Sequence, residues 1–391
     1  MRKLTIIIVL IILELNLGYL TLGSSGTSEP QLILTEISTI HTGSRTTDVY
    51  VNADVLYALD SSYGLQIYNI CNPNTPEKLG SFYDYYTFAH RLCYNNELIF
   101  IADYEDKLEI VNVSDPTTPQ LISHYQERNS SVQWSSSTHL EVVNDLVYLA
   151  SQEEGLEIIN ISNLTQPVKI SSYFDEKSVI VISATKDLAF IGESGGHGLG
   201  GGFQILNTSN PACPVKIYQC DEVNVGIELF VLDNLLYVPD EDFGLRIYDI
   251  SDPPNAVKVG ERQIDGKCLN CVIEDRGAHT YAFLAAWDVG TFILDVTDPN
   301  NPLELAQYND GGEAVSLFFQ NDLVFIAERD YGLEILRIEG LEEKTPTTSS
   351  SELSSISTSI ETTIIPSFEL HFVILTLFLL LTLRTKNRGK N

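Results

Sequence analysis

The chain has 391 residues, of which 44% are hydrophobic, and its 53 acidic and 23 basic residues give a net charge of −30. The apolar fraction is ample for a packed core. The negative charge would repel phosphate groups, so the composition argues against a nucleic-acid-binding protein. It suits a soluble surface, a cationic partner or a divalent ion.

Residues 1–26 have the layout of a secretory signal peptide. Basic Arg2 and Lys3 precede a long apolar run, and small residues follow it near Ser24. Signal peptides combine these three regions in this order. An uncleaved N-terminal anchor is the alternative.

A repeat fills most of the remaining chain. It reads "YGLQIYNICNPNTPEKLG" from position 63, and six related copies begin at positions 106, 154, 201, 243, 289 and 331. The period is about 44 residues, which is typical of four-stranded propeller blades. β-rich runs such as "LIFIAD" and "LVYLAS", broken by Gly, Asn, Asp and Pro, exclude helical hairpin repeats of the same length.

The seventh copy is incomplete, because it stops after its third strand at Ile338. The missing fourth strand is found at the other end of the repeat region, where "PQLILTEIS" (30–38) matches "PQLISHY" of the second copy. An N-terminal strand that completes the last blade would leave no exposed sheet edge. The sequence therefore predicts an all-β protein, a seven-bladed β-propeller over residues 30–340 that this strand closes.

The third strands and the turns after them resemble the LVIVD-repeat family. "LEIVNVSDP", "LEIINIS", "LRIYDISDP" and "FILDVTDP" carry the resemblance, and the related copies recur along about four-fifths of the chain. The resemblance implies a propeller fold and a location on the cell surface. It implies no particular activity, because many members of this family have none assigned.

Three segments follow the repeats. Residues 343–366 are dominated by Ser and Thr and are expected to form a disordered stalk. Residues 368–383 are apolar and predict a transmembrane or sorting-signal helix, and the basic tail 384–391 predicts a cytoplasmic end. The repeat region is then expected outside the cell, anchored to the membrane or envelope by its C-terminus.

The start of the apolar segment also resembles a C-terminal sorting signal of the archaeosortase type. The residues that carry this resemblance are Pro366, Ser367, Phe368 and Glu369. The usual motif has glycine where this chain has Ser367. Cleavage near this motif and a retained helix therefore both remain open.

One mouth of the central channel is the candidate binding site. Counting back from the second strands, the start of each innermost strand is predicted to be Asp48, His90, His139, Val181, Glu228, Cys268 and Ser316. Loops on the same face are predicted to hold Trp134 and Trp287 together with many acidic residues, among them Asp240 and Glu328. The predicted ligand-binding set is Asp48, His90, His139, Glu228, Cys268, Trp134 and Trp287.

The residue types at this mouth leave several interpretations open. Carboxylate oxygens suit a hard divalent cation, and histidine or cysteine would suit a softer one, so a divalent cation is the candidate cofactor. Acidic residues are also common solubilising and turn-forming residues. Cys268 and Cys271 form a single Cys-x-x-Cys pair, which lacks the further ligands that a zinc site needs.

Five Asn-x-Ser/Thr sequons are candidate glycosylation sites. They are Asn112, Asn129, Asn160, Asn163 and Asn207. Asn129 lies in the longest polar loop and is the best acceptor on grounds of exposure.

The leading hypothesis from the sequence is a surface-anchored propeller that acts as a binding or adhesion module without catalysis, with a protein or glycan partner outside the cell. A propeller hydrolase or oxidoreductase with a metal at the channel mouth is the first alternative. A structural protein of the cell envelope is the second.

Overall fold

The computed structural model describes residues 32–83, 89–104, 107–126, 137–152, 154–194, 201–329 and 332–342. All of these residues belong to one compact unit. The predicted signal peptide, stalk, apolar segment and basic tail lie outside the described residues. Within those residues, no helix is long and apolar enough to cross a membrane.

In the described part of the chain, twenty-eight strands form seven antiparallel sheets of four strands each, which confirms the predicted seven-bladed propeller. Blade 1 comprises β2 (Thr46–Asn52), β3 (Val55–Asp60), β4 (Gly64–Asn69) and β5 (Glu77–Phe82). Blade 2 comprises β6 (Arg91–Asn95), β7 (Leu98–Asp103), β8 (Lys107–Asn112) and β9 (Gln120–Tyr125). Blade 3 comprises β10 (Ser137–Val143), β11 (Leu146–Ser151), β12 (Gly155–Asn160) and β13 (Val168–Tyr173).

The next three blades repeat this order. Blade 4 comprises β14 (Ser178–Ala184), β15 (Leu188–Ser194), β16 (Gly202–Asn207) and β17 (Val215–Cys220). Blade 5 comprises β18 (Phe230–Leu232), β19 (Leu235–Asp240), β20 (Gly244–Asp249) and β21 (Val257–Gln263), with a short 3-10 turn (Pro253–Asn255) before the last strand. Blade 6 comprises β22 (Asn270–Asp275), β23 (Thr280–Ala285), β24 (Thr291–Asp295) and β25 (Leu303–Tyr308).

Blade 7 takes its strands from both ends of the repeat region. It comprises β26 (Ala314–Gln320), β27 (Leu323–Glu328), β28 (Gly332–Glu339) and, as its outermost strand, β1 (Ile33–Ile40). Strand β1 pairs antiparallel with β28, with Leu34 opposite Ile338 and Ile40 opposite Leu333. The predicted closure by an N-terminal strand is therefore confirmed, although the strand lies slightly later than residues 30–38.

The repeated glycine at the start of the third strand has a steric reason. Gly155 and Gly332 have φ values of +76° and +99°, which side-chain-bearing residues rarely adopt. A Cβ atom at either position would also collide with a carbonyl oxygen of the outermost strand, that of Tyr173 or of Ile40. In blade 2 the same position holds Lys107, with a φ of +58°.

Seven hydrophobic clusters fill the spaces between neighbouring blades, including the space between blades 7 and 1. The second and third strands of each blade contribute most of these side chains, which is why their sequences are nearly continuous apolar runs. The innermost strands alternate instead. One set of their side chains packs between blades, and the other set faces the central channel, where the candidate site lies.

Candidate functional site in the central channel

The inner strands bring six polar side chains together inside the ring. They come from every blade except blade 4, which contributes the apolar Val181 at this level. The six residues are Asp48, Arg91, His139, Glu228, Asn270 and Ser316. Arg91 is the most exposed of them, with 14% of its side chain accessible. We call this group the polar layer of the channel.

Arg91 holds the polar layer together by pairing with two carboxylates from different blades. Its guanidinium lies 3.2 Å from Oδ1 of Asp48 in blade 1, and it forms a second ion pair with Glu228 in blade 5. The hydroxyl of Ser316 in blade 7 donates to the same Asp48 oxygen at 2.7 Å. The other Asp48 oxygen accepts the backbone N–H of Leu92 at 2.9 Å. These contacts cross the channel, and the charge of Arg91 offsets one of the two carboxylate charges at this level.

His139 and Asn270 complete the layer with fewer bonds. The side-chain amide of Asn270 donates to Glu228 at 3.3 Å and to Ser316 at 3.4 Å. His139 Nε2 lies 3.6 Å from Glu228, and neither ring nitrogen has a hydrogen-bond partner among the described residues. Burial, aided by the charge of Arg91, lowers the pKa of His139 well below its usual range. His139 is therefore a neutral imidazole at physiological pH.

A cavity of about 370 Å³ extends along the channel from the polar layer. Its wall includes Glu141, Ser183 and Thr185, together with the aromatic rings of Tyr50, Tyr94 and Phe318. The ring of Tyr50 lies 5.3 Å from that of Tyr94 and 4.6 Å from that of Phe318, so the three rings form one continuous aromatic wall.

Glu141 is the carboxylate that faces this cavity without a Lys or Arg in ion-pair contact among the described residues. Burial raises its pKa to about 7, and the charge of Arg91 opposes that rise. A ligand with a positive charge would remove this cost, because an opposite charge favours the ionised carboxylate. The cavity thus combines an acidic group that titrates near neutral pH with an aromatic surface.

The structure brings three of the predicted ligand residues together and separates the others. Asp48, His139 and Glu228 meet in the polar layer. His90 is exposed outside it, because side chains alternate along a strand and its neighbour Arg91 faces the channel. In blade 6 the channel position belongs to Asn270, which pairs with Ala285, and not to Cys268.

The shift in blade 6 follows from a longer hairpin. Four residues, 276–279, join β22 to β23, whereas two residues join the equivalent strands of blade 1. Cys268 lies in the hydrophobic cluster between blades 5 and 6, where burial raises the pKa of its thiol. A buried thiol of this kind is a poor metal ligand, because metals bind the thiolate.

Only one of the two tryptophans predicted at the channel mouth lies within the described residues. Trp134 lies outside the described residues. Trp287 is half-buried at the end of blade 6, and the guanidinium of Arg329 lies 5.0 Å from its ring centre. Trp287 is therefore engaged with blade 7 and is absent from the wall of the channel cavity.

Glycosylation of the five sequons stays a prediction, and three of the asparagines also have a structural role in turns. The side-chain oxygens of Asn112, Asn160 and Asn207 each accept a backbone N–H two residues later, at 2.9, 2.8 and 3.0 Å. These bonds close the turn after each third strand. Asn163 is exposed, and Asn129 lies outside the described residues, as do Pro366, Ser367, Phe368 and Glu369.

Comparison with known proteins agrees with this architecture. The LVIVD repeat model matches residues 96–127, 136–175, 228–261 and 279–310, which fall in blades 2, 3, 5 and 6. No curated protein matches the chain.

Two solved structures share the fold at low sequence identity. The crystal structure of the computationally designed Ika8 protein is 10% identical, with a TM-score of 0.57 over 77% of this chain and 99% of the other. The WD40 β-propeller domain of Doa1 is also 10% identical, with a TM-score of 0.59 over 78% of this chain and 96% of the other. The chain is therefore a seven-bladed β-propeller that contains LVIVD repeats.

Proposed function

We propose that the protein is a binding module without catalytic activity, displayed outside the cell, that takes a positively charged group into its channel cavity. The observation that carries this proposal is that Glu141 lines the same cavity as the aromatic wall of Tyr50, Tyr94 and Phe318. Aromatic faces and a carboxylate together favour ammonium and guanidinium groups.

The polar layer supports recognition by making the cavity rigid. Arg91 is held by Asp48 and Glu228, so its position is set before a ligand arrives. Preorganised polar groups lower the entropic cost of binding. The cavity volume of about 370 Å³ suits a small organic cation or one basic side chain of a protein or glycan-linked partner.

The anchoring part of the proposal rests on sequence. Residues 1–26 would direct secretion, residues 343–366 would hold the propeller away from the membrane, and residues 368–383 would anchor it. Mass spectrometry of protein extracted from the envelope tests this part. Peptides from the basic tail 384–391 in the mature protein indicate a retained helix, and loss of everything beyond Glu369 indicates cleavage at the sorting motif.

The test of binding uses tetramethylammonium as the probe, with titration calorimetry on the full chain at pH 8. We expect one site per chain, weakened at least about tenfold by Glu141→Gln, because that change removes the charge and keeps the shape. Glu304→Gln is the matched control, since Glu304 lies on the outermost strand of blade 6 and pairs there with Arg262. Equal affinities of wild type and Glu141→Gln would refute the proposal.

A further inference from the structure

A second cluster of carboxylates lies in blade 7, away from the channel cavity. Asp310 belongs to the link between β25 and β26, Glu328 is the last residue of β27, and Glu334 is the third residue of β28. One oxygen of each lies within 4.8 Å of the others. Glu328 and Glu334 are only 2% and 4% exposed, whereas Asp310 is exposed. The cluster is therefore buried on one side and open to solvent on the other.

The two buried glutamates each have an oxygen with nothing to bind. Oε2 of Glu328 and Oε2 of Glu334 are buried and have no hydrogen-bond partner among the described residues. A Cβ atom at Gly312 would collide with that Glu328 oxygen and would lie 3.2 Å from Oδ1 of Asp310. Glu328 therefore directs its unpartnered oxygen towards the link that carries Asp310.

The cluster also has no cation of its own in the part of the chain that the structure describes. The nearest arginine in sequence, Arg329, pairs with Glu313 at 3.4 Å and lies over the ring of Trp287. Burial, with the charges of Asp310 and Glu313, raises the pKa of Glu328 to about 8. Burial, a hydrogen bond with Asp310 and the charges of Asp310, Glu328 and Glu36 raise the pKa of Glu334 to about 9.

Other blades neutralise the same place in the fold. In blade 4 Lys177 lies 2.9 Å from Glu193, and in blade 5 Arg246 lies 2.6 Å from Asp240. In blade 1 three backbone N–H groups donate to Asp60. Of these four blades, only blade 7 buries two glutamates at this place, and no basic side chain or backbone N–H group of the described residues contacts their unpartnered oxygens.

We propose that Asp310, Glu328 and Glu334 bind one divalent cation, and that this cation is Ca²⁺. Ca²⁺ binds oxygens at about 2.3–2.6 Å in flexible geometry, so three carboxylate oxygens within 4.8 Å of one another can converge on it through small side-chain shifts. Mg²⁺ demands near-ideal octahedral geometry and gives up its waters reluctantly, so a cluster of three carboxylates at unequal depth favours Ca²⁺. Water reaching the exposed side at Asp310 supplies the remaining ligands.

This site is independent of the proposed ligand of the channel. It joins the link from blade 6 to the second and third strands of blade 7, next to the closing strand β1. Calcium bound here would stabilise blade 7, because it binds the folded ring and not the unfolded chain.

The experiment measures Ca²⁺ binding to the full chain by titration calorimetry, and thermal unfolding in chelator and in Ca²⁺. We expect one site per chain and a rise in melting temperature with Ca²⁺. Glu334→Gln and Glu328→Gln should each weaken binding at least about tenfold, since each removes one ligand charge. Mg²⁺ at the same concentration should raise the melting temperature less.

Glu339→Gln is the matched control, because Glu339 is exposed at the far end of the same strand and the charge change is identical. It should bind Ca²⁺ as the wild type does. The proposal is overturned if wild type binds no Ca²⁺, or if Glu328→Gln and Glu334→Gln bind it as tightly as Glu339→Gln. Either substitution preserves the size of the side chain, and a variant that fails to fold would be recognised by its far-ultraviolet spectrum and replaced by the exposed Asp310→Asn.

Discussion

Blades 3 and 7 bury a glutamate at the same place in the fold and treat it in opposite ways. Glu157 and Glu334 are both the third residue of a third strand, and both are almost fully buried. Nζ of Lys107 in blade 2 lies 3.0 Å from Glu157, whereas no basic side chain of the described residues reaches Glu334. The repeat therefore fixes where the acid lies, and residues outside the repeat pattern decide how its charge is balanced.

The cation that pairs with Glu157 of blade 3 is a lysine of blade 2, at the one third-strand position where the repeat has no glycine. Lys107 replaces the third-strand glycine of blade 2 and is 1% exposed. It pairs with both Glu154 and Glu157 of the next blade, at 2.6 and 3.0 Å. Burial raises the pKa of Glu157, and the charge of Lys107 opposes that rise. The substitution that looks like a defect in the sequence is thus an ionic link between blades 2 and 3.

Blade 7 differs from blade 3 most of all in its outermost strand, and removing that strand should have the largest effect. Deleting residues 32–40 would take away the ladder to β28 and the buried Leu32 and Ile40. We expect the free energy of unfolding to fall by at least about 5 kcal/mol, a large part of the stability of one domain. Denaturant unfolding of the deleted and complete chains measures it.

A peptide of residues 30–42 supplied in trans should restore part of this loss, and a scrambled peptide should not. Equal stability of the two chains would mean that the ring does not depend on β1 for closure.

The ionic link of blade 3 should give the next largest effect. Lys107→Gly restores the residue of the other repeats but leaves Glu157 buried without its nearest cation. We expect a loss of roughly 2 to 4 kcal/mol, moderated by Lys169, which lies 3.3 Å from Glu157. Denaturant unfolding at pH 7 measures this loss.

The double change Lys107→Gly and Glu157→Gln should lose less than the sum of the single changes, since the unpaired charge is then gone. Additive losses would show that the two groups do not interact.

Much of the fold could be predicted from the sequence because the same repeat occurs seven times. The runs "LIFIAD" and "LVYLAS" mark second strands buried on both faces, and the cut after Ile338 indicates the closing strand. Any one copy would be ambiguous, but an error in one blade is corrected by the other six. The alignment with "PQLISHY" gives the wrong register for β1: it places Leu34 at the position of Ser123, whereas Ser38 lies there, opposite Ile335.

The candidate site could be predicted only in part, because it depends on the least regular strand. Counting from the second strands places Asp48, His139 and Glu228 in the channel, where they lie, and their role in binding stays a prediction. The same count misses Arg91 by one residue, which lies on the opposite face of the strand from His90. It misses Asn270 by two residues, because the first hairpin of blade 6 is two residues longer. Lys107 is visible in the sequence as an exception, but its partner in the next blade follows only from the three-dimensional packing of blades.

The repeat glycine allows blades 3 and 7 to be compared by the same substitution. Gly332→Ala combines a positive φ with a collision against β1, whereas Gly311→Ala has a similar φ of +96° and nothing within 4 Å. We expect a loss of about 1 kcal/mol for Gly311→Ala and roughly 2 to 4 kcal/mol for Gly332→Ala. Gly155→Ala should resemble Gly332→Ala, and thermal or denaturant unfolding measures all three.

If Gly155→Ala proves much more costly than Gly332→Ala, the closing strand yields more easily than a strand joined within its own blade. Equal losses for Gly332→Ala and Gly311→Ala would contradict the collision with Ile40.

Glu141 is the intermediate case between blades 3 and 7, since Arg91 opposes its burial without pairing with it. Its pKa is raised from 4.5 to about 7 in the folded state. Between these values the folded chain holds a proton that the unfolded chain has lost, so this group makes the protein less stable as pH rises from about 5 to 8. We expect Glu141→Gln to remove roughly 1 to 3 kcal/mol of that decline. Unfolding of both proteins at pH 5 and pH 8, with Glu304→Gln as control, measures it, and an unchanged pH dependence in Glu141→Gln would show that its carboxyl titrates normally.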